Sequence, residues 1–206
     1  MYRISGIRTA IRDDRKTIRK KIEKRIGKYG KGLKIQDITI VKESLDARDK
    51  KNITWVYTVD FRTEPKANLP LTEGGEQPYR LPPSGTLPCT ERPVVCGFGP
   101  AGMFCALILA EAGYRPIVLE RGKRTDERVR DVERFWQEGI LDAESNVQFG
   151  EGGAGTFSDG KLVSGIRDPR VRKVLHEFVE AGAKEEILYR QKPHVGTDQL
   201  RRIVVN

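Results

Sequence analysis

Residues 92–122 form the apolar stretch RPVVCGFGPAGMFCALILAEAGYRPIVLERG. Near its start are three glycines, Gly97, Gly99 and Gly102, which are separated by one residue and by two residues. The runs PVVC and PIVL predict two short strands, and the segment between them predicts a helix that is apolar on nearly every side and therefore covered on both. Gly97 permits a tight turn, Gly99 leaves the backbone open to a phosphate, and Gly102 allows close helix–strand packing. The stretch therefore predicts a strand–helix–strand unit with a site for a phosphate-bearing ligand.

An acidic residue, Glu120, closes the second predicted strand. A carboxylate there accepts hydrogen bonds from both ribose hydroxyls of an adenosine and repels a 2′-phosphate, so NADP is not expected at this position. The pattern predicts a Rossmann-like βαβ domain for FAD or NAD; a tight turn without ligand is the simpler alternative. The expected contacts are Gly97, Phe98, Gly99, Pro100, Ala101, Gly102, Glu120 and Arg121.

A second glycine-rich segment, VQFGEGGAGTFSDGKLVSG, occupies residues 147–165. Such a segment is unexpected in a plain NAD domain, whereas in FAD proteins of this architecture it passes along the pyrophosphate and ribityl chain, where side chains would block the approach. This favours FAD and predicts contacts from Gly152, Gly153, Gly155, Thr156, Ser158 and Lys161. The alternative is a flexible surface loop with a turn at Ser158–Gly160.

Further helices are predicted at about 124–138, at about 169–181 and from Thr197 onward. The last has no stop signal before Asn206, which predicts that the chain ends within a domain. We therefore expect residues 92–206 to be the N-terminal part of a longer cofactor-binding domain.

The N-terminal region differs from the rest in charge. Residues 1–63 hold 18 Lys and Arg against 8 Asp and Glu, whereas the remainder is close to neutral. A short strand, a basic helix and two further strands predict a small β-α-β-β module at 1–63. Residues 64–91, with six prolines and three glycines, are too rich in these residues for regular structure and predict a linker or an arm laid over a neighbour. These prolines are Pro65, Pro70, Pro78, Pro82, Pro83 and Pro88.

Composition and residue spacing predict neither a membrane-spanning segment nor a metal site. No apolar run approaches the roughly 18 residues that span a membrane, so we expect a cytoplasmic protein. Cys89, Cys96 and Cys105 form no C-x-x-C pair, and His176 and His194 fit no metal-ligand pattern, so no metal is expected. The sequence assigns no catalytic acid or base. His194 is the nearest candidate, and a structural role near a turn is the simpler interpretation.

The stretches VVCGFGPAGMFCALILAEAGYRPIVLERG, FGEGGAGTFSDGKL and KPHVGTDQLRRIV, with the turn SLDARDKK, resemble the N-terminal part of a bacterial family of uncharacterised FAD-dependent dehydrogenase-like proteins. That family is broadly similar to flavoproteins of the glutathione-reductase type. The resemblance covers nearly the whole chain. It implies an FAD-dependent oxidoreductase, with NAD(P)H as a candidate electron donor and the remaining FAD-binding and substrate regions after Asn206.

Two alternatives remain open. The first is an NAD-linked dehydrogenase that uses the same βαβ unit. The second is a nucleic-acid-binding role for the basic module, because an excess of positive charge on such a module can track phosphates. Trp55, Tyr57 and Phe61 alternate as core residues do, and no aromatic RNA-binding run is present. Nucleic acid is therefore not expected as a partner, and a solvated basic face is the simpler interpretation.

Overall fold

A computed structural model describes residues 1–30, 32–64, 68–87, 89–166 and 168–206. Pro65 and Pro88 of the predicted linker lie outside the described residues. The chain combines sheets with helices, so the prediction of a mixed α/β protein is confirmed. It divides into two compact units. Unit 1 comprises Met1–Pro78 and Glu185–Pro193, and unit 2 comprises Tyr79–Lys184 and His194–Asn206.

Unit 1 contains an antiparallel sheet with an α-helix packed on it. Its elements are β1 (Tyr2–Ala10), α1 (Arg15–Ile26), β2 (Lys34–Asp46), β3 (Thr54–Glu64) and β4 (Thr72–Glu73), with a 3₁₀ turn at Gly27–Tyr29. The strands lie in the order β2-β3-β1-β4, and each neighbouring pair is antiparallel. The first four elements have the β-α-β-β order that the sequence predicts.

The core of unit 1 lies between α1 and one face of the sheet. Ile18, Ile22 and Ile26 of α1 are almost fully buried, as the four-residue spacing of these apolar side chains requires. Tyr57 and Phe61 of β3 belong to the same core, so these aromatic rings stabilise the fold. The helix begins after Asp14, whose carboxylate accepts a hydrogen bond from the Thr17 N–H at 3.2 Å.

The proline-rich segment contains one short strand, which corrects the expectation that it has no regular structure. Thr72 and Glu73 of β4 pair with Arg3 and Tyr2 of β1. The pairing is available because neither β4 residue is a proline, so both keep a backbone N–H. Leu69, just before β4, is buried in the core of unit 1. This part of the segment is therefore an arm laid along the sheet, which is the second form that the sequence predicts.

A buried carboxylate anchors this arm. Asp60 of β3, whose side chain is 4% exposed, accepts hydrogen bonds from the Arg3 guanidinium at 2.7 and 2.8 Å and from the Gly75 N–H at 2.8 Å. Burial acts to raise the pKa of Asp60, but the bonds from Arg3 and Gly75 outweigh it and hold the pKa below its ordinary value of 3.8.

Asp60→Asn is expected to destabilise unit 1 by about 2 kcal/mol at neutral pH, because it weakens two charge-assisted hydrogen bonds. The lowered pKa means that the wild-type advantage is complete above about pH 4 and is lost as the pH falls through the folded-state pKa. Urea unfolding of both proteins at neutral and acidic pH measures this difference. A gap that stays the same at both pH values would contradict the role of the ionised carboxylate.

A second segment packs on the edge of the unit 1 sheet. The N–H of Glu43 in β2 donates to the Tyr189 carbonyl at 2.7 Å, and the N–H of Gln191 donates to the Glu43 carbonyl at 2.9 Å. Residues 185–193, which lie between the two stretches of unit 2 in the chain, thus cover backbone groups of an edge strand. The domain limits 1–63, 64–91 and 92–206 stay predictions, and the sequence carried no signal for this returning segment.

Unit 2 contains a pair of parallel strands and four helices. Its elements are β5 (Val94–Cys96), α2 (Pro100–Glu111), β6 (Ile117–Leu119), α3 (Thr125–Glu138), α4 (Arg170–Glu180) and α5 (Thr197–Val205). A short 3₁₀ helix at Ala154–Phe157 lies within the second glycine-rich segment. Val94, Val95 and Cys96 pair in parallel with Ile117, Val118 and Leu119. The helix limits agree with the sequence predictions within one or two residues.

The helix α2 is less covered than its composition predicts. Within it only Ala106 is buried, and Cys105 is exposed. Val94 and Leu119 of the neighbouring strands are 56% and 55% exposed. Most of its other apolar side chains are half-buried, so the expectation of a helix covered on both sides is wrong for the described residues.

Candidate functional site

In the turn after β5, the backbones of Gly97 and Gly102 lie in close contact. Gly97 has φ +95°, a left-handed conformation that favours glycine, and its N–H donates to the Leu119 carbonyl at 2.6 Å. A Cβ atom on Gly102 would lie 1.9 Å from the Gly97 carbonyl oxygen. Since no real Cβ atom approaches an oxygen so closely, Gly102 must be glycine for α2 to start directly above the end of β5.

The N-terminus of α2 opens onto free space. Gly99 precedes the first turn in an extended conformation, and a Cβ atom placed on it would meet nothing within 4 Å. Pro100 is the first helical residue, a position where its missing N–H costs nothing. The N–H groups of a first helical turn have no partner within the helix and carry the positive end of its dipole. The position therefore suits an anionic group such as a phosphate.

Glu120 follows β6 and reaches back to the same turn. Its carboxylate accepts hydrogen bonds from the Phe98 N–H at 2.6 Å and from the Gly122 N–H at 2.8 Å. These bonds fix the carboxylate beside the glycine turn. A carboxylate accepts about four hydrogen bonds in all, so it can still accept bonds from hydroxyl groups of a ligand.

The second glycine-rich segment crosses the carboxyl ends of β5 and β6. The Gly152 N–H donates to the Phe98 carbonyl at 2.8 Å. A Cβ atom on Gly153 would lie 3.3 Å from the Gly99 Cα atom, and one on Gly122 would lie 2.4 Å from the Gly150 Cα atom. The two glycine-rich segments are therefore in backbone contact at the edge of a parallel sheet where ligands bind in α/β proteins.

A buried arginine that the sequence analysis missed holds this second segment in place. The Arg128 side chain of α3 is fully buried. Its guanidinium donates to four backbone carbonyls at 2.5 to 3.3 Å, and these belong to Asn146, Val147, Glu151 and Gly153. Burial lowers the pKa of Arg128, and the charges of Glu120 and Glu151 oppose that shift.

The position of Arg128 along α3 is the signal that could have revealed it. Thr125, Arg128 and Val132 are the buried residues of this helix, and their spacing of three and four places them on one face. Thr125, the first residue of α3, also bonds to the second glycine-rich segment, because its N–H donates to the Glu151 carboxylate at 2.7 Å. An arginine on the inward face of an amphipathic helix therefore predicts a buried role.

The other side chains that the sequence predicts as ligand contacts form hydrogen bonds or ion pairs within the protein. Thr156 is buried, and its hydroxyl donates to the Glu151 carbonyl at 3.2 Å. The Ser158 hydroxyl donates to the Gly155 carbonyl at 2.8 Å. Lys161 lies 2.7 Å from Asp159, and Arg121 lies 2.7 Å from Glu144. Ligand contacts from these four side chains stay predictions. The groups that lie at the turn are mostly backbone N–H and carbonyl groups, together with the Glu120 carboxylate.

An apolar cavity of about 630 Å³ borders the turn at Phe98. Most of its other lining residues come from the flank of α2 and from α4 and α5, including Met103, Phe104, Phe178 and Val204. Neither Gly99 nor Glu120 lines it. The cavity is therefore adjacent to the glycine turn and separate from the space beside Gly99.

Searches for two other kinds of site gave no candidate within the part of the chain that the structure describes. No cluster of three or more histidine, cysteine, aspartate or glutamate side chains is arranged to hold a metal ion. No helix among the described residues is long and apolar enough to cross a membrane. His194 forms a backbone bridge with Lys161 and is exposed.

Comparisons with known proteins give relatives but no activity. Residues 1–62 match the model of a domain of unknown function, DUF8436. A protein of Clostridium beijerinckii (strain ATCC 51743 / NCIMB 8052), described as "Uncharacterized protein", is 45% identical over 212 residues. The match covers 99% of this chain and 39% of the relative, so the chain spans about two fifths of that protein's length. Neither description mentions a cofactor or a reaction.

Proposed function

We propose that unit 2 binds the ADP half of FAD and is the nucleotide-binding part of an FAD-dependent oxidoreductase. The observation that carries the proposal is the meeting of the two glycine-rich segments at the carboxyl end of β5 and β6, beside open space at Gly99. A dinucleotide is a ligand that needs both a phosphate site at a helix N-terminus and a side-chain-free path away from it.

The residues divide into three roles under this proposal. The N–H groups of the first turn of α2, from Ala101 onward, receive the phosphates. Glu120 accepts hydrogen bonds from the ribose hydroxyls, and its fixed position beside Phe98 orients the sugar. The backbone around Gly152 and Gly153 borders the path of the ribityl chain of FAD, which leads away from the pyrophosphate. Bound flavin supplies hydride or electron transfer, while the protein supplies position and electrostatics.

Three features favour FAD over a nicotinamide nucleotide at this site. The Glu120 carboxylate disfavours NADP, since its charge repels a 2′-phosphate. The contact between Gly153 and Gly99 lengthens the side-chain-free surface beyond a single glycine turn. The resemblance of the sequence to FAD-dependent dehydrogenase-like proteins points the same way. NAD(P)H then enters as the electron donor and binds elsewhere.

Isothermal titration of the purified chain with separate nucleotides tests this proposal. We expect FAD to bind and ADP to compete with it, because the contacts are made to the ADP half. NADP is expected to bind at least about tenfold more weakly than FAD, because one repelled charge costs at least about 1.4 kcal/mol. Binding of NAD together with rejection of FAD would contradict the flavin assignment, and failure of every nucleotide would contradict the site.

A further inference from the structure

The outward side of α1 and the 3₁₀ turn that follows it carry a line of four lysines, Lys16, Lys20, Lys24 and Lys28. Each is four residues from the next, so neighbours lie about one helical turn apart. The first three are offset by two residues, or about 200°, from the buried isoleucines of α1. The apolar side of the helix therefore faces the core of unit 1, and the lysine line faces solvent. All four lysines are exposed.

Other basic residues of α1 have structural roles in unit 1. The Arg19 guanidinium donates to the Ile35 and Gln36 carbonyls, and Arg25 donates to the Ser5 carbonyl at 2.8 Å. Arg15 contacts the ring of Tyr189 and donates to its hydroxyl at 3.0 Å. These cations hold the helix on the sheet and on the returning segment, and their presence does not require a partner.

The lysine line differs from the opposite, open face of the sheet in its pairing. Three arginines of that face lie within ion-pair distance of an aspartate, as Arg3–Asp60, Arg8–Asp46 and Arg62–Asp37. Within the described ranges, no carboxylate lies at such a distance from any lysine of the line. Like charges four residues apart destabilise a helix. The line therefore weakens α1 in the isolated chain, and binding to a polyanion would reverse that effect.

The sequence alone does not lead us to expect nucleic acid as a partner, but the exposed lysine line, unpaired among the described residues, changes that expectation. We propose that the lysine line is a binding surface for the phosphate backbone of nucleic acid, recognised without regard to base sequence. Lysine is a mobile point charge, which suits a row of phosphates but carries no base readout. Lys16, Lys20 and Lys24 span about 12 Å of α1, and Lys28 continues the line into the 3₁₀ turn; nucleic acid presents several phosphates along such a length. The aromatic side chains of β3 lie in the core and are not available to stack on bases.

Two other anionic partners fit the surface less well. A helix that inserts into a membrane surface needs a free apolar face, and the apolar face of α1 is buried in the core. A protein partner needs a packed apolar centre at the interface, and a line of lysines does not provide one. The partner is therefore expected to be held by charge alone and to be released by salt.

The test compares two variants with the same change in net charge. The line variant is Lys16→Gln, Lys20→Gln, Lys24→Gln and Lys28→Gln. The control variant is Lys34→Gln, Lys42→Gln, Lys50→Gln and Lys51→Gln, four exposed lysines of the same module that lie outside α1. Glutamine forms helices about as well as lysine, so the line variant is expected to fold. The control variant is expected to fold because its four lysines are exposed and lie in β2 and the turn after it. Loss of like-charge repulsion should leave the line variant at least as resistant to heat as the wild type.

Binding of a labelled 20-base-pair duplex and of its single strand is measured by fluorescence anisotropy over a range of salt concentrations. We expect the wild type to bind with a salt-dependent affinity, the line variant to bind at least about tenfold more weakly, and its salt slope to be flatter by about 3. The control variant should stay within about threefold of the wild type.

Three results would overturn the inference. They are the absence of binding by the wild type, an equal loss in both variants, and wild-type binding to vesicles containing phosphatidylserine but to neither nucleic acid. FAD titration of the same proteins is expected to be unchanged, because the lysine line belongs to unit 1 and the proposed flavin site to unit 2.

Discussion

Gly102→Ala is expected to destabilise unit 2 by about 3 kcal/mol and to abolish nucleotide binding. A single added methyl group would lie 1.9 Å from the Gly97 carbonyl oxygen, so either the turn opens or α2 moves away from β5. Overpacking of this kind costs about 1–3 kcal/mol where the neighbours can yield, and a backbone carbonyl yields less than a side chain. Denaturant unfolding measures the first effect, and isothermal titration with FAD measures the second.

The matched control for this change lies in the same turn. Gly99→Ala introduces the same methyl group where nothing lies within 4 Å, and its backbone is extended, a conformation open to alanine. The free energy of unfolding is therefore expected to stay within about 0.5 kcal/mol of the wild-type value. Equal stability of the two variants would contradict the close approach of Gly102 to Gly97.

Arg128→Met is expected to cost about 3 kcal/mol or more in the free energy of unfolding. Methionine fills part of the volume but donates no hydrogen bond, so the carbonyls of Asn146, Val147, Glu151 and Gly153 lose their common donor. An unsatisfied buried acceptor costs about 1–3 kcal/mol, and the segment is expected to rearrange to relieve the loss. FAD affinity should fall as well, because this segment contacts Gly99.

Two further variants separate the role of Arg128 from a general effect of charge. Arg130→Met removes an exposed arginine from the same helix and is expected to change stability by less than about 0.5 kcal/mol. Arg128→Lys keeps the charge but has a single ammonium group in place of the planar fork, so it should recover only part of the loss. An Arg128→Met protein as stable as the Arg130→Met protein would show that the four carbonyls do not depend on Arg128.

Local pattern predicted most of the helices and strands. The glycine spacing located the turn between β5 and α2, and the alternation of Trp55, Tyr57 and Phe61 identified a strand with one buried face. The apolar face of the helix predicted at about 169–181 located α4, which the structure places at Arg170–Glu180. These features depend on neighbours within one helical turn or one strand, which the sequence displays directly.

Long-range contacts account for what the sequence did not predict. The strand β4 depends on pairing with β1, and residues 185–193 join unit 1 through backbone bonds to Glu43. Arg128 is one of many arginines in the sequence, and only the fold shows that its guanidinium meets four carbonyls. The low burial of α2 among the described residues was not predicted either, because the composition of a helix does not show which neighbours cover it.

The most direct test of the flavin proposal is isothermal titration of FAD into the wild-type protein, Gly99→Ala and Gly165→Ala. Neither added methyl group meets an atom of the protein within 4 Å, so all three proteins should unfold with equal stability. We expect the wild type and Gly165→Ala to bind FAD alike and Gly99→Ala to lose at least about tenfold in affinity, because its methyl group would occupy the space for the pyrophosphate. Equal FAD affinity in all three proteins would contradict a pyrophosphate site at this turn.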